Sequence, residues 1–253
     1  MENNKIGNLL TECNMKKNIA MTVIIILSIL LIPSSLFAQQ SSSASEEEKT
    51  VEELFLQSVE MRIIGEQAFS DTRESKLSAL DNLAELIESG DVASGDPEAS
   101  YILDSLSSEG IGIVYREEGR VVNNFPEVRR KSCELLGKIG GEAAKDTLIN
   151  VLISDDEPMV LSEAVYALGN MGVENRNNQV TQAISFSILN QDILTPDQNY
   201  GYAALLAIEK IAAQNNGISD PSIYRALIRL SQGNYMATVT DKANEVIREL
   251  LSY

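Results

Sequence analysis

The sequence contains no histidine and no tryptophan, and it has only two cysteines, Cys13 and Cys133. Without histidine, the chain lacks the usual general base near neutral pH and the commonest ligand for transition metals. It also lacks a Gly-x-Ser-x-Gly nucleophile elbow and a Ser-x-x-Lys pair, and Gly110-Ile111-Gly112 has no third glycine at the spacing of a dinucleotide-binding loop. These absences predict a protein that is not an enzyme and that binds no cofactor and no metal.

Basic residues are scarce relative to acidic ones, with 20 Lys and Arg against 37 Asp and Glu and a net charge of −17. A surface this negative repels phosphate backbones and anionic membrane faces. We therefore exclude nucleic acid and expect a partner with a basic protein surface. The densest acidic run, Asp155-Asp156-Glu157, precedes Pro158. We interpret it as a helix start, since it lacks the alternating ligand spacing of a calcium loop.

The N-terminal residues resemble an export signal. Met15-Lys16-Lys17 precedes a nearly continuous apolar run over residues 19–32, and Ala38 provides a small residue at the cleavage position. We predict a signal peptide over residues 1–38, whose true start is either Met1 or Met15, and a periplasmic or secreted mature protein. The alternative is a retained membrane anchor, which the short apolar run disfavours. After cleavage we expect no membrane insertion.

The mature chain is predicted to begin with a disordered tether over residues 39–50, which is rich in Ser and Glu. Only Cys133 remains after cleavage, so an internal disulfide is excluded. We interpret Cys133 as a small buried side chain rather than as a reactive thiol.

An internal repeat dominates the centre of the chain. The residues Val128, Ser132, Leu136, Gly137, Ile139 and Gly140 recur 32 positions later as Val160, Ala164, Leu168, Gly169, Met171 and Gly172. A helical period over residues 143–153 lies between the copies, so each unit is predicted to contain two helices. Helix pairs of this size bury their apolar faces by stacking into a solenoid.

The run EVRRKSCELLGKIGGEAAKDTLINVLISDDEPMVLSEAVYALGNMG resembles HEAT repeats of the short type found in phycobilisome lyases and many bacterial scaffold proteins. The resemblance lies in Val-Arg at a helix start, Leu-Gly-x-Ile-Gly at its end and Asp-Asp before the next start. It implies an all-α, right-handed solenoid. Weaker copies of the pattern extend the prediction to five helix pairs over residues 51–253.

Local signals predict where helices begin and end. Asp96-Pro97, Thr195-Pro196 and Asp220-Pro221 each place a capping oxygen before a proline at the first helical position. Gly140 and Gly172 are predicted to end helices in a left-handed conformation.

A segment over residues 110–126 interrupts the second unit, where the clean copies use a short turn. Its Val and Tyr residues flank Glu117-Glu118-Gly119, so an ordered loop or a small β-hairpin is expected. Long loops in regular folds often carry function. The predicted contact residues in this loop are Tyr115, Arg116, Arg120, Asn123, Asn124 and Phe125.

The HEAT resemblance also implies that the second helices line a concave binding face. By position, the residues on this face are Arg130, Lys131, Glu134, Lys138, Ser162, Glu163, Tyr166, Asn170, Tyr202 and Leu206. The resemblance also implies that an arginine just after the opening valine pairs with an inter-helix aspartate such as Asp155. For the basic run Arg129-Arg130-Lys131, helix solvation or such pairing within the solenoid is favoured over a dedicated binding patch.

The sequence therefore predicts a non-catalytic scaffold or adaptor that binds a protein partner in the bacterial cell envelope. The alternatives are a lyase-like enzyme or enzyme subunit, and a chaperone-like or inhibitory module for an exported protein. The oligomeric state is not predicted.

Overall fold

The computed structural model describes residues 50–112, 114–172 and 176–253. The predicted signal peptide and residues 39–49 of the predicted tether lie outside these residues. The described residues form ten helices and one short hairpin: α1 (Val51–Ala68), α2 (Arg73–Ser89), α3 (Pro97–Ser107), β1 (Arg116–Glu117), β2 (Arg120–Val121), α4 (Pro126–Ile139), α5 (Gly141–Ser154), α6 (Pro158–Asn170), α7 (Gln179–Asn190), α8 (Gln198–Gln214), α9 (Pro221–Gln232) and α10 (Ala237–Leu250). A short 3₁₀ turn, Arg176–Asn178, leads into α7.

The helices form two layers. The first layer contains α1, α3, α5, α7 and α9, and the second layer contains α2, α4, α6, α8 and α10. Each helix packs against the other helix of its pair and against the next helix of its own layer. This alternation confirms the predicted all-α solenoid of five helix pairs.

The repeated apolar positions form the core between the layers. Val128 and Leu136 of α4 are fully buried, and so are the equivalent residues Val160 and Leu168 of α6. Ile208 continues the pattern in α8 and is also fully buried. The sequence repeat is therefore a repeat of core positions, which explains why it survives where surface residues differ.

Two of the three predicted caps are confirmed. The carboxylate of Asp96 accepts the backbone N–H of Ala99 at 2.9 Å, and that of Asp220 accepts the N–H two residues further on at 2.9 Å. Gly140 and Gly172 both have φ of +69°, a left-handed value that favours glycine. These bonds and turns satisfy backbone groups that a helix end leaves without partners.

The third predicted cap is wrong. Helix α8 begins at Gln198, and its N-cap is Asp197, whose carboxylate accepts the N–H of Tyr200 at 2.8 Å. Thr195 instead donates its own N–H to Asp192 at 2.8 Å. Thr195 and Asp197 both have side chains that can cap a helix, and Asp197, which is closer to α8, is the cap.

Glycines inside α4 and α6 bring the second-layer helices close together. A β-carbon added at Gly137 would lie 2.8 Å from Cβ of Ala167, and one added at Gly169 would lie 2.7 Å from Cα of Ala207. Packing among α4, α6 and α8 is also more extensive than packing among α3, α5 and α7. In the first layer, an open groove of about 710 Å³ separates α5 from α7. The second layer is therefore the more tightly packed of the two, which is the arrangement expected if it forms the concave side that the HEAT resemblance implies.

The interrupting segment contains a β-hairpin, as expected. Arg116 pairs with Val121 and Glu117 with Arg120 in antiparallel register. The two-residue turn between them, Glu118-Gly119, has φ of +48° and +82°. Positive values at both positions match the turn that suits the twist of short hairpins.

Candidate functional site

The second-layer surface that points away from the first layer is here named the inner face. All the residues predicted for it from the HEAT resemblance lie on α4, α6 and α8. The structure leaves Lys138, Tyr166, Asn170 and Tyr202 exposed, whereas Arg130, Lys131, Glu134, Ser162, Glu163 and Leu206 are half-buried. Their charged members form ion pairs with neighbouring helices, except Glu134, whose pairs lie within α4.

Ion pairs join α2 to α4 on the inner face. Lys131 pairs with Asp81, and Lys138 donates to Glu88 at 2.9 Å. Lys138 also lies 3.2 Å from Glu134, one turn earlier on its own helix. The hydrogen bond from Lys138 lowers the pKa of Glu88, so this carboxylate stays ionised at neutral pH. Because these pairs are exposed to solvent they stabilise the fold only weakly, but they hold the side chains in place.

Arg130 joins α4 to α6. Its guanidinium lies 3.2 Å from Glu163 and 3.9 Å from Glu134. Burial raises the pKa of Glu163, and the charge of Arg130 opposes that shift. Ser162, beside Glu163, donates its hydroxyl to the carbonyl of Pro158 within its own helix at 2.7 Å.

The contact between α6 and α8 differs from the others because it involves no carboxylate. Lys210 lies 4.8 Å from the centre of the Tyr166 ring and also donates to the side-chain oxygen of Asn170. Tyr166 is 43% exposed, and Tyr202 of α8 is 37% exposed. The centre of the inner face therefore presents two tyrosines and an amide, with a cation held over one ring.

An ion pair also joins α8 to α10. Lys242 lies 2.8 Å from Glu209 and 3.4 Å from Glu245. Tyr202 lines an open surface depression with Lys242 and other residues of α10. The inner face thus continues past Tyr202 to the end of the solenoid.

The predicted pairing of an arginine with Asp155 is confirmed. Nε of Arg129 lies 2.7 Å from Asp155, and both side chains are almost completely buried. Lys76 occupies the same place in α2, three residues after the helix start, and it lies 3.1 Å from Glu109. Leu161 takes this position in α6 and is buried in the core, so the series of ion pairs stops there.

These buried pairs also anchor the interrupting segment. Asn123 donates to Glu109 at 2.9 Å, and Nη1 of Arg129 donates to Asn124 at 2.6 Å and to the carbonyl of Glu109 at 3.1 Å. A segment that looks like a loose insertion in the sequence is therefore fixed to the core by charged hydrogen bonds.

The predicted contact residues of the segment divide into two groups. Tyr115, Arg116 and Arg120 are exposed. Asn123 is buried and Phe125 is half-buried against the hydrophobic core, which corrects the expectation that they are surface contact groups. Both residues hold the segment in place: Phe125 does so through apolar packing, and Asn123 through hydrogen bonds. The side chain of Asn124 is exposed but already accepts from Arg129.

The hairpin also forms one wall of a cavity of about 500 Å³. The other wall is the corner between α1 and α2. Tyr115 and Arg116 line it from the hairpin side, facing Phe69, Ser70 and Lys76. Sequence analysis missed this corner, and the only signal for it was the basic residue three positions into α2.

The described residues show neither a metal-ion cluster nor an ionised thiol. Across residues 50–112, 114–172 and 176–253, no group of three or more Cys, Asp and Glu side chains is placed to hold a metal ion. Cys133 is buried, and burial raises the pKa of its thiol well above the ordinary value, so the sulfur stays protonated. No helix within these ranges is both long enough and apolar enough to cross a bilayer.

Comparison with known families agrees with this architecture. Residues 120–185 match the family model for HEAT repeats. The matched segment extends from β2 through α4, α5 and α6 into α7, so it contains the clean sequence repeats and the central part of the inner face. Among curated proteins, the comparison finds none that matches this chain. HEAT repeats commonly mediate protein–protein interaction, whereas the lyase-type subgroup and export remain predictions from the sequence.

Proposed function

We propose that this protein is an exported, non-catalytic scaffold of the bacterial cell envelope that binds another protein on the inner face of its HEAT-like solenoid. The basic residues and apolar run before Ala38 support export. The net charge of −17 favours a partner with a basic surface over nucleic acid or an anionic membrane.

The exposure of Tyr166 and Tyr202 at the centre of the inner face carries the proposal. Most of the cations on this face are already held by carboxylates of neighbouring helices, and Lys210 lies over the Tyr166 ring and donates to Asn170, so these side chains have defined positions. Tyrosines supply large contact area at low conformational cost and are enriched among the residues that dominate binding energy. Two of them on adjacent helices of a concave surface form a suitable anchor for a protein partner.

Crosslinking of the protein in the envelope of its own cell, followed by recovery and mass spectrometry, tests this proposal. Tyr166→Ala together with Tyr202→Ala should reduce recovery of the dominant partner by tenfold or more, because each lost anchor costs on the order of 1–2 kcal/mol. A matched control changes two exposed aromatic residues of the first layer, Tyr101 and Phe186, to alanine and should leave recovery unchanged.

Circular dichroism of both variants checks that helicity is retained. Equal recovery with the inner-face variant and the control would refute the inner face as the binding surface. A small molecule retained through purification, in place of any protein partner, would instead support a lyase-like role.

A further inference from the structure

The outward side of α1, the first helix among the described residues, carries a row of apolar side chains that no preceding described repeat covers. Val51 is 84% exposed and Phe55 is 65% exposed. Ile63, about two turns after Phe55, is also exposed. Val59, which is half-buried, lies between Phe55 and Ile63 at the same spacing of four residues. At 100° per residue, this row lies opposite Met61 and the other α1 residues buried in the core.

At the other end of the solenoid, α10 buries Val239, Ala243 and Val246, and its exposed residues include Thr238, Asp241, Asn244, Glu245 and Arg248. A polar outer face of this kind is what a terminal repeat needs to remain soluble. Exposed apolar residues also occur in this last unit, at Ile228 of α9 and at Met236 and Leu251 on either side of α10, but they do not follow one another at helical spacing as those of α1 do. The apolar row on α1 therefore requires a separate explanation.

Charges on α1 indicate what covers the row. Glu52 and Arg62 are both exposed and lie on the same outward side as Phe55 and Val59. Suppose that a second copy of α1 packs antiparallel to the first, with the two-fold axis midway between Phe55 and Val59. Phe55 of each copy then faces Val59 of the other. The same register places Val51 opposite Ile63.

In that register, Glu52 of each copy faces Arg62 of the other. The contact then has an apolar centre and an ion pair of opposite charges at each end. A two-fold interface must be self-complementary in this way, because both partners use the same surface. The net charge of −17 on each copy opposes association, but at physiological salt this repulsion is screened beyond about 8 Å and the local pairs prevail.

We propose that the outward face of α1 is a homodimerisation surface on which two copies of this chain pair antiparallel. The proposal is independent of the inner face, which lies on the second layer. One helix pair is a small interface, so a dissociation constant in the micromolar range is expected.

Sedimentation equilibrium of the protein as isolated from its own cells, over roughly 1–100 µM to bracket that affinity, measures the association. Glu52→Arg and Arg62→Glu should each raise the dissociation constant about tenfold or more, since each reversal turns two attractive pairs into repulsive ones. The double variant should restore it to within about threefold of the unchanged protein, because the ion pairs re-form with exchanged signs.

The double variant can restore dimerisation only through ion pairs between two molecules. Within one α1 helix, Glu52 and Arg62 are ten positions apart, or about 15 Å along the axis, too far for direct contact. Glu60→Arg is the matched control, because it makes the same charge change on a different side of α1 and should not alter dimerisation. Phe55→Asp should abolish the dimer and provides a second variant should a charge reversal disturb the start of the helix.

Thermal melts of each variant confirm folding. A monomer throughout the concentration range would overturn the proposal, and so would an association unaffected by Phe55→Asp or a double variant no tighter than either single one. The Tyr166 and Tyr202 variant should dimerise normally, which separates failure of this inference from failure of the proposed function.

Discussion

The close contact between α6 and α8 yields a quantitative prediction about Gly169. An alanine there would place its β-carbon 2.7 Å from Cα and 3.0 Å from Cβ of Ala207, where carbon atoms normally stand about 3.5–4.0 Å apart. Cα cannot rotate away, so α8 itself must move by nearly 1 Å. Overpacking of this kind costs about 1–3 kcal/mol. The higher helix propensity of alanine offsets up to about 1 kcal/mol of that cost.

We therefore expect Gly169→Ala to lower the free energy of unfolding by up to about 2 kcal/mol, the balance of overpacking and helix propensity. Urea denaturation followed by circular dichroism measures the change, and an unchanged slope with a lower midpoint would show that stability itself has fallen. The melting temperature should fall by about 2–4 °C per kcal/mol for a solenoid of this size.

Gly137 provides the matched comparison. A β-carbon added there would lie closest to Cβ of Ala167, at 2.8 Å, and 3.2 Å from its Cα. Ala167→Gly removes that nearest atom, so it should recover much of the loss caused by Gly137→Ala. Ala207→Gly leaves Cα in place and should recover little of the loss caused by Gly169→Ala. Two double-mutant cycles measure these couplings.

A stabilising effect of Gly169→Ala would contradict this prediction. If Gly169→Ala stabilises the protein by about 0.5–1 kcal/mol, as alanine does at an unobstructed helix position, then α6 and α8 are not in backbone contact. If Ala167→Gly and Ala207→Gly recovered equal amounts of unfolding free energy, the atoms closest to the added methyl groups would not be the ones that cause the loss of stability. In either case the concave assignment of the second layer would lose its main support.

Three further perturbations test other parts of the fold. Arg129→Leu should cost about 3–5 kcal/mol in a thermal or chemical melt, because it leaves Asp155 buried without its cation; a loss below about 1 kcal/mol would indicate that water reaches this pair. Cys133 should resist a thiol reagent in the native protein and react on unfolding, which mass mapping of the labelled peptide detects; rapid native labelling would show that α4 is not packed as described. Asp197→Ala should cost about 0.5–2 kcal/mol as a lost helix cap, whereas Thr195→Ala should cost much less, and the reverse order would restore the cap predicted from the sequence.

The sequence predicts the solenoid well because the residues that repeat are core residues. Leu136 and Leu168 occupy the same buried position in successive units, and any substitution there leaves a cavity or a clash. Gly140 and Gly172 follow the same helices and have positive φ, which glycine adopts more readily than other residues. Their positions in the sequence therefore mark where these helices end. Five helix pairs and most of their starts follow from these constraints.

Contacts between helices are much less predictable. Lys131 pairs with Asp81, 50 positions earlier in the chain, and no local pattern connects the two residues. The bond from Arg129 to Asp155 was predicted only because the HEAT resemblance implies it. Phe125 was expected to be a contact group, since an aromatic residue before a proline in an apparent loop gives no sign that its ring packs against the core.

These pairings change how the basic residues of the inner face contribute to binding. Arg130, Lys131 and Lys138 look like a cationic patch in the sequence, but each one is held by a carboxylate of a neighbouring helix. An acidic partner would have to break these pairs before it gained new ones, whereas a basic partner meets a chain with an overall excess of acidic groups. Under the proposed function, we therefore expect the net charge to act mainly on the rate of encounter, and Tyr166 and Tyr202 to determine how long a partner stays bound.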